Sequence, residues 1–113
     1  MLDGVSPQAR VATEETFGPV APVVEIASLD EAIRLANDSP YGLLSAIFTR
    51  DLAQGLRYAD EVKTGWVNIN DSSNYWEAHL PFGGRSGTAS GIGRVGGPAP
   101  MDSFTELQTV VVA

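Results

Sequence analysis

The segment around residues 14–18 holds the residue types best suited to cofactor binding. Glu14 and Glu15 precede Phe17 in the run EETFGPV, just ahead of an apolar stretch. A carboxylate two residues from an aromatic ring can hold the vicinal hydroxyls of a ribose while the ring packs on a flat group. The same residues also suit two solvated acids and a phenylalanine that closes the end of a sheet. Taken alone, they favour this second, structural interpretation.

A glycine motif lies near the other end of the chain. Gly91–Gly96 reads G-x-G-x-x-G, a spacing that binds dinucleotide phosphates when a strand precedes it and a helix follows. Here the polar run SGTAS precedes the motif and GPAP follows it. This context predicts a tightly wound loop, in which the glycines supply positive φ angles and close backbone approach.

Acidic residues bracket an aromatic loop. Asp71 and Glu77 flank the run Asn74-Tyr75-Trp76, and a pair of carboxylates beside aromatic rings is one pattern for acid–base hydrolysis. His79 is the only histidine, and the chain contains no cysteine. These 113 residues therefore contain neither a two-histidine zinc motif nor a thiol nucleophile, and we predict no metal site.

Composition and charge exclude several classes of protein. With 43% hydrophobic and 19% charged residues, the chain has the composition of one globular domain. Its formal net charge of -7 has the wrong sign for a nucleic-acid partner. No apolar run approaches the roughly 20 residues that span a bilayer, and residues 1–10 lack the features of a signal peptide. We therefore expect a cytoplasmic protein that binds neither nucleic acid nor membrane.

The elements that must position these residues alternate along the chain. Ser28 and Glu31 form the pattern of a capping box, and the apolar residues that follow recur at helical spacing up to Pro40. Strand–helix–strand–helix–strand is predicted, with strands at Val20–Ile26, Leu43–Thr49 and Trp66–Ile69 and helices at 28–39 and Asp51–Lys63. In the second helix we expect Leu52, Leu56, Ala59 and Val62 to face inward, with Gly65 in a left-handed conformation just beyond it. Such alternation predicts an α/β fold with a parallel sheet and right-handed crossovers.

The last third of the chain has a different character. Asn70–Pro100 contains no long periodic stretch, and seven of the fifteen residues from Gly83 to Gly97 are glycine. We expect a long structured loop here, followed by a strand at Phe104–Val112 that has no neighbour in sequence to pair with. An apolar terminal strand is an aggregation hazard unless its edge is paired. We therefore predict an arm that pairs with a partner strand outside this chain, although addition to its own sheet is the alternative.

Several of these motifs occur together in a recognisable order. From about Thr13 onward, the chain resembles the C-terminal portion of the aldehyde dehydrogenase superfamily, NAD(P)-dependent enzymes that oxidise aldehydes to acids. The motifs that carry this resemblance are EETFGPV, NDSPYGLLSAIFTRD, WVNIND, PFGG, SGIGR and TELQTVVV.

The resemblance implies roles for individual residues. Glu15 would hydrogen-bond the nicotinamide-ribose hydroxyls, and Phe17 would pack beside that ribose. Phe82, in the PFGG motif, would line the aldehyde tunnel, with Asp71 near it, and Asn68 matches the asparagine of the V-N strand. The family also implies an α/β section over residues 1–100, including the glycine-rich loop, and an oligomerisation arm over residues 101–113.

The sequence also departs from the family pattern. Arg85 and Ser86 follow PFGG where many members have a lysine, and SGIGR comes after a longer spacer. The nucleophilic cysteine and general-base glutamate of the family would lie upstream of EETFGPV, so we expect this chain alone to be inactive. A non-catalytic binding or assembly module that kept the fold and the arm is the alternative.

Overall fold

A computed structural model describes residues 1–113. The elements are α1 (Arg10–Thr13), α2 (Leu29–Asp38), β1 (Leu44–Ile47), α3 (Leu52–Glu61), β2 (Trp66–Ile69) and α4 (Ala99–Phe104). Strands β1 and β2 pair in parallel, with Leu44 opposite Trp66 and Ile47 opposite Ile69. The α/β class is therefore as predicted. No helix of the chain has both the length and the apolar character needed to cross a bilayer.

Helix α2 begins where the sequence predicts. The Ser28 hydroxyl accepts a hydrogen bond from the Glu31 amide at 3.2 Å, which satisfies one of the free N–H groups of the first turn. The Glu31 carboxylate accepts from the backbone N–H of Ala27 at 2.8 Å rather than from that of Ser28. The helix ends at Asp38, before Pro40. The predicted helix is confirmed, with one of the two capping contacts shifted by one residue.

Both helices cover the same face of the sheet. Ile33 of α2 and Tyr58 of α3 form the buried core with Val62, whose side chain is fully buried. Val67 of β2 and Ile47 of β1 pack against this cluster. Side chains alternate along a strand, so Trp66 and Asn68 lie on the opposite face of the sheet.

The inward face of α3 differs from the prediction. Leu52 and Leu56 are 66% and 56% exposed, so two of the four residues expected to face inward lie on the outer side. Gly55 and Tyr58 are the buried residues within the helix. Gly55 allows close packing because a Cβ there would lie 3.1 Å from the side chain of Ile69. The sheet covers the side of α3 that carries Gly55 and Tyr58 rather than the side that carries Leu52 and Leu56.

The predicted strand at Val20–Ile26 is wrong. Its backbone bonds with the N-terminal segment instead: the Val23 amide donates to the Leu2 carbonyl at 2.7 Å, and Val5 donates to the Val23 carbonyl at 3.0 Å. Only an isolated parallel bridge between Leu2 and Pro22 results. Proline has no N–H to donate to a strand on its other side, so a segment with Pro22 at this position is unsuited to the interior of a sheet. The sheet consequently has two strands rather than three.

The glycine-rich loop folds back onto the start of β2. Phe82 and Val95 exchange two backbone hydrogen bonds of 2.7 and 2.8 Å as an antiparallel bridge. Gly65 is not left-handed, contrary to the prediction. Glycine is required there because a Cβ would lie only 1.8 Å from the carbonyl oxygen of Gly83. The loop backbone therefore packs directly against the backbone that enters the strand.

The C-terminal segment forms no strand within this chain. After α4, the last backbone hydrogen bond joins the Thr105 amide to the Met101 carbonyl at 3.1 Å. Leu107 is 99% exposed, and Val110, Val111 and Val112 are also exposed. The radius of gyration is 17.5 Å, against about 13 Å for a compact chain of this length. Residues 105–113 thus lie away from the core, and the alternative that they add to the chain's own sheet is wrong.

Candidate functional site

The first candidate region follows α1. Arg10 holds Glu14 through two hydrogen bonds of 2.9 Å, from Nε to Oε1 and from Nη2 to Oε2. This guanidinium lowers the pKa of Glu14 below its ordinary value. Glu15, the next residue, has no partner within the chain, and the ring of Phe17 is 96% exposed. Arg10 therefore holds the Glu14 carboxylate, whereas that of Glu15, the residue predicted to bind ribose, is free for a ligand.

Glu15 lines a cleft beside the amino end of β1. The cleft runs from the end of α1 to the segment that joins α2 to β1, and Ser90 of the glycine-rich loop closes one side. The Ser90 hydroxyl accepts a hydrogen bond from the Gly42 amide at 2.9 Å, which fixes the loop at that point. Glu15 thus lines a groove whose walls combine apolar residues, such as Leu43 and Leu44, with small polar ones.

The second candidate region lies on the face of the sheet away from the helices. Its centre is Asn68, which is only 7% exposed. The Asn68 Oδ1 accepts from the indole Nε1 of Trp66 at 2.6 Å. Its Nδ2 donates to the carbonyl oxygens of Ser72 and Tyr75 at 2.7 and 2.9 Å. One buried amide therefore joins β2 to the loop that follows it.

Three aromatic rings pack beside Asn68. The ring of Phe82 lies 5.8 Å from that of Trp66 and 5.6 Å from that of Trp76, measured between centroids, with interplanar angles of 59° and 41°. These are favourable tilted arrangements. We call Trp66, Trp76 and Phe82 the aromatic cluster. Trp76 is 49% exposed, so part of its ring is open to a ligand.

The carboxylates predicted to bracket the aromatic loop each have a local partner. The Asp71 carboxylate accepts from the Ser72 amide at 2.6 Å. Glu77 accepts from the Tyr75 hydroxyl and lies 3.2 Å from Nδ1 of His79. The hydrogen bond to Glu77, followed by the charge of Glu77, raises the pKa of the Tyr75 phenol. Glu77 thus accepts a hydrogen bond from Tyr75 and lies beside His79, an arrangement that favours holding the loop over hydrolysis.

The G-x-G-x-x-G motif lies in a loop, as predicted. Gly91, Gly93 and Gly96 have φ angles of 91°, 74° and 85°, which are left-handed conformations that favour glycine. No strand precedes the motif and no helix begins within it. The dinucleotide-binding interpretation of this motif is therefore wrong, and the loop interpretation is confirmed.

The sequence-predicted residues thus lie in two regions. Phe82 belongs to the aromatic cluster, and Asp71 begins the loop that Asn68 holds. Glu15 and Phe17 lie in the separate segment after α1. Sequence reasoning missed the contribution of Trp66 and the contact between Trp76 and Phe82. The spacing of Trp66 and Asn68 by two residues in a strand was the available signal, since it places both on one face.

Known proteins match nearly the whole chain. A sequence model described as the aldehyde dehydrogenase family matches residues 1–110. The benzaldehyde dehydrogenase [NAD(+)] of Pseudomonas putida is 49% identical over 94% of this chain and 22% of its own length. The vanillin dehydrogenase of an Amycolatopsis species is 47% identical over 99% of the chain and 23% of its own length.

A solved structure agrees with these sequence matches. The salicylaldehyde dehydrogenase from Pseudomonas putida G7, crystallised with salicylaldehyde, superposes with a TM-score of 0.86 at 45% identity. That alignment covers 94% of this chain and 22% of the solved one. The chain therefore spans about a fifth of the length of the relatives it matches.

Proposed function

Because the chain belongs to the aldehyde dehydrogenase family, we propose that it forms one wall of the active site of an NAD(P)-dependent enzyme that oxidises an aromatic aldehyde to its carboxylic acid. Residues 1–100 would be the C-terminal part of the catalytic domain, and residues 101–113 the oligomerisation arm. Relatives named for benzaldehyde, vanillin and salicylaldehyde support an aromatic substrate. The relative named for NAD(+) supports that nucleotide over NADP.

The free carboxylate of Glu15 is the observation that carries this proposal. A carboxylate accepts hydrogen bonds from both hydroxyls of a ribose, and such charge-assisted bonds are stronger than neutral ones. Arg10 occupies the neighbouring Glu14 and leaves Glu15 unpaired. The exposed ring of Phe17 supplies a flat apolar surface two residues away. These residues fit the nicotinamide ribose, and the bound nucleotide would accept hydride from the substrate.

The substrate wall would come from the other face of the sheet. Phe82 would shape the entrance for the aldehyde, with Asp71 near it on the loop that follows β2. The chain contains no cysteine, so the thiolate that attacks the aldehyde must be supplied from outside these 113 residues. The 113-residue chain by itself would therefore show no turnover.

The arm would join subunits of one protein. Thr105–Val112 begins with alternating β-branched or apolar and polar residues and ends in three valines. Apart from the Thr105 amide, its backbone groups make no hydrogen bond to the backbone of this chain. An extended segment of this kind pairs with an exposed sheet edge by β-augmentation. In a homo-oligomer, each arm would add to the sheet edge of another subunit, so that the backbone groups of both strands would be hydrogen-bonded.

Nucleotide affinity tests the role of Glu15. In the complete enzyme that carries this segment, we expect Glu15→Gln to weaken NAD+ binding roughly tenfold or more, as the loss of a charge-assisted hydrogen bond does. The matched variant Glu14→Gln removes a carboxylate one residue away and should change affinity less than about twofold. Isothermal titration measures both.

Two results would contradict the proposal. Equal effects of the two substitutions would remove Glu15 from the nucleotide site. A 113-residue chain that forms a stable discrete oligomer in the source cells, with Glu15→Ala having no consequence, would instead identify a stand-alone assembly module.

A further inference from the structure

We propose that Arg94 is a positioning residue for the substrate entrance, because its guanidinium holds the backbone on both sides of Phe82 against the start of β2. This inference rests on the proposed function, in which Phe82 shapes that entrance. The observation that carries it is the convergence of three backbone carbonyl oxygens on one nitrogen of Arg94.

The three carbonyl oxygens belong to two separate segments of the chain. Arg94 Nη1 donates to the oxygen of Gly65, the residue directly before β2, at 3.1 Å. The same nitrogen lies 3.5 Å from the oxygens of Pro81 and Gly83. These two residues flank Phe82 in sequence. One guanidinium therefore joins the backbone that enters the strand to the backbone that carries the ring.

The backbone beside Arg94 holds the same segment. Val95, the next residue, exchanges two backbone hydrogen bonds with Phe82. The stem of Arg94 also passes close to Gly83, where a Cβ would lie 3.0 Å from the Arg94 Cγ and 2.5 Å from the Gly93 carbonyl oxygen. A side chain at residue 83 would therefore displace the arginine. Residues 94 and 95 thus fix residues 81–83 through a side chain and through the backbone.

The charge of Arg94 has no carboxylate partner within this chain. The cationic members of its ion pairs are Arg10, Arg34, Arg57 and His79. Hydrogen bonds from a charged donor are stronger than those from a neutral one. A planar guanidinium also directs its N–H groups along fixed lines, whereas lysine carries a compact charge on a flexible stem. Arginine can therefore set the spacing of these carbonyls more closely than lysine can.

Arg85, in the same glycine-rich loop, offers a matched control. Its Nη1 donates to the carbonyl oxygen of Val62, the C-cap of α3, at 3.2 Å. Its side chain makes no hydrogen bond to residues 81–83. Both arginines attach the loop to the connection between α3 and β2, but only Arg94 bonds the carbonyls beside Phe82.

Aldehyde kinetics test the positioning role. In the complete enzyme, we expect Arg94→Gln to raise the KM for benzaldehyde about fivefold and to change kcat less than about twofold, because the entrance shifts while the reacting groups do not. The KM for NAD+ should change less than about twofold, since Glu15 lies in a separate region. Arg94→Lys should restore part of the loss, and Arg85→Gln should leave both KM values within about twofold of the unmodified enzyme.

A double-mutant cycle distinguishes positioning from a general loosening of the loop. If Arg94 acts through Phe82, Arg94→Gln should have no further effect on the KM for benzaldehyde in an enzyme that already carries Phe82→Ala. Thermal unfolding of each variant checks that it is folded. If Arg94→Gln does not fold, the same cycle with Arg94→Lys decides the question.

The outcomes separate this inference from the proposed function. An unchanged KM in folded Arg94→Gln, beside a raised KM in Phe82→Ala, would overturn the positioning role and leave the proposed function intact. Equal effects of Arg94→Gln and Arg85→Gln, or an Arg94→Gln effect that persists in Phe82→Ala, would also overturn it. An unmodified enzyme that oxidises no aromatic aldehyde would overturn the proposed function itself.

Discussion

The face of the sheet beneath α2 and α3 is closed by apolar contacts, whereas the opposite face is organised by hydrogen bonds from one amide. Val62 and Ile33 pack under the helices. Asn68 and the indole of Trp66 hold the other side together. Apolar burial has little directional preference, but hydrogen bonds require defined distances and angles. The first face therefore supplies stability, and the second fixes the geometry of the rings near the proposed substrate.

The largest expected effect on stability comes from a substitution at the junction between the sheet and the glycine-rich loop. In Gly65→Ala, the new methyl group would meet the Gly83 carbonyl at 1.8 Å, so backbone must move. We expect a loss of about 3 kcal/mol in the free energy of unfolding, at the upper end of overpacking effects. Urea denaturation followed by circular dichroism measures it. Gly18→Ala is the control, because a methyl group there would have no atom within 4 Å.

An unchanged free energy of unfolding in Gly65→Ala would contradict the close contact between the glycine-rich loop and the sheet. It would mean that the loop is not seated on the start of β2 in solution. The geometry of Phe82, which lies next to Gly83, would then be independent of the sheet.

Two substitutions compare the buried core beneath the helices with the exposed side of α3. Val62→Ala removes two methyl groups from a fully buried site, and we expect a cost of about 2 kcal/mol. Leu56→Ala, on the exposed side of α3, should change stability by less than about 0.5 kcal/mol. Thermal unfolding of both variants checks the difference. Equal losses would indicate that the outer face of α3 is covered in solution.

The smallest effect concerns the phenol of Tyr75. Its hydroxyl donates to Glu77 only while protonated, and its pKa is raised above the ordinary value near 10. The contact therefore stabilises the loop at pH values below that ordinary value and is lost as the pH rises through the raised one. Ultraviolet difference spectra between the chain and Tyr75→Phe follow this ionisation. Glu77→Gln should move it to lower pH, and an unmoved titration would remove Glu77 as its cause.

The sequence predicted best where the signal was local. The Ser28 cap lies three residues from its partner, and Trp66–Ile69 is a short apolar run between a turn and Asn70. Asn70 ends that strand with a φ of 61°, a left-handed conformation that asparagine tolerates. These elements depend on neighbours along the chain, so a single sequence contains the information that defines them.

Contacts between distant residues were harder to foresee. The choice of Tyr58 over Leu56 for the core depends on where the sheet lies against α3, and no pattern within the helix specifies that. Phe82 reaches Trp66 because the chain returns to the start of β2 after the intervening loop, where the backbone of Gly83 packs against Gly65. The segment around Pro22 had strand composition, but its hydrogen-bonding partner was the N-terminal segment. The roles of Glu15 and Phe17 came from resemblance and stay predictions.

The extended C-terminal segment affects how the molecule moves through solvent. The chain measures 69 Å along its longest axis but only 23 Å along its shortest. Such a particle experiences more friction than a sphere of the same 11.9 kDa mass, so it should leave a gel-filtration column early, at the position of a heavier globular protein. Copies of this chain should therefore be counted by light scattering or sedimentation equilibrium, which report mass directly, rather than by elution volume.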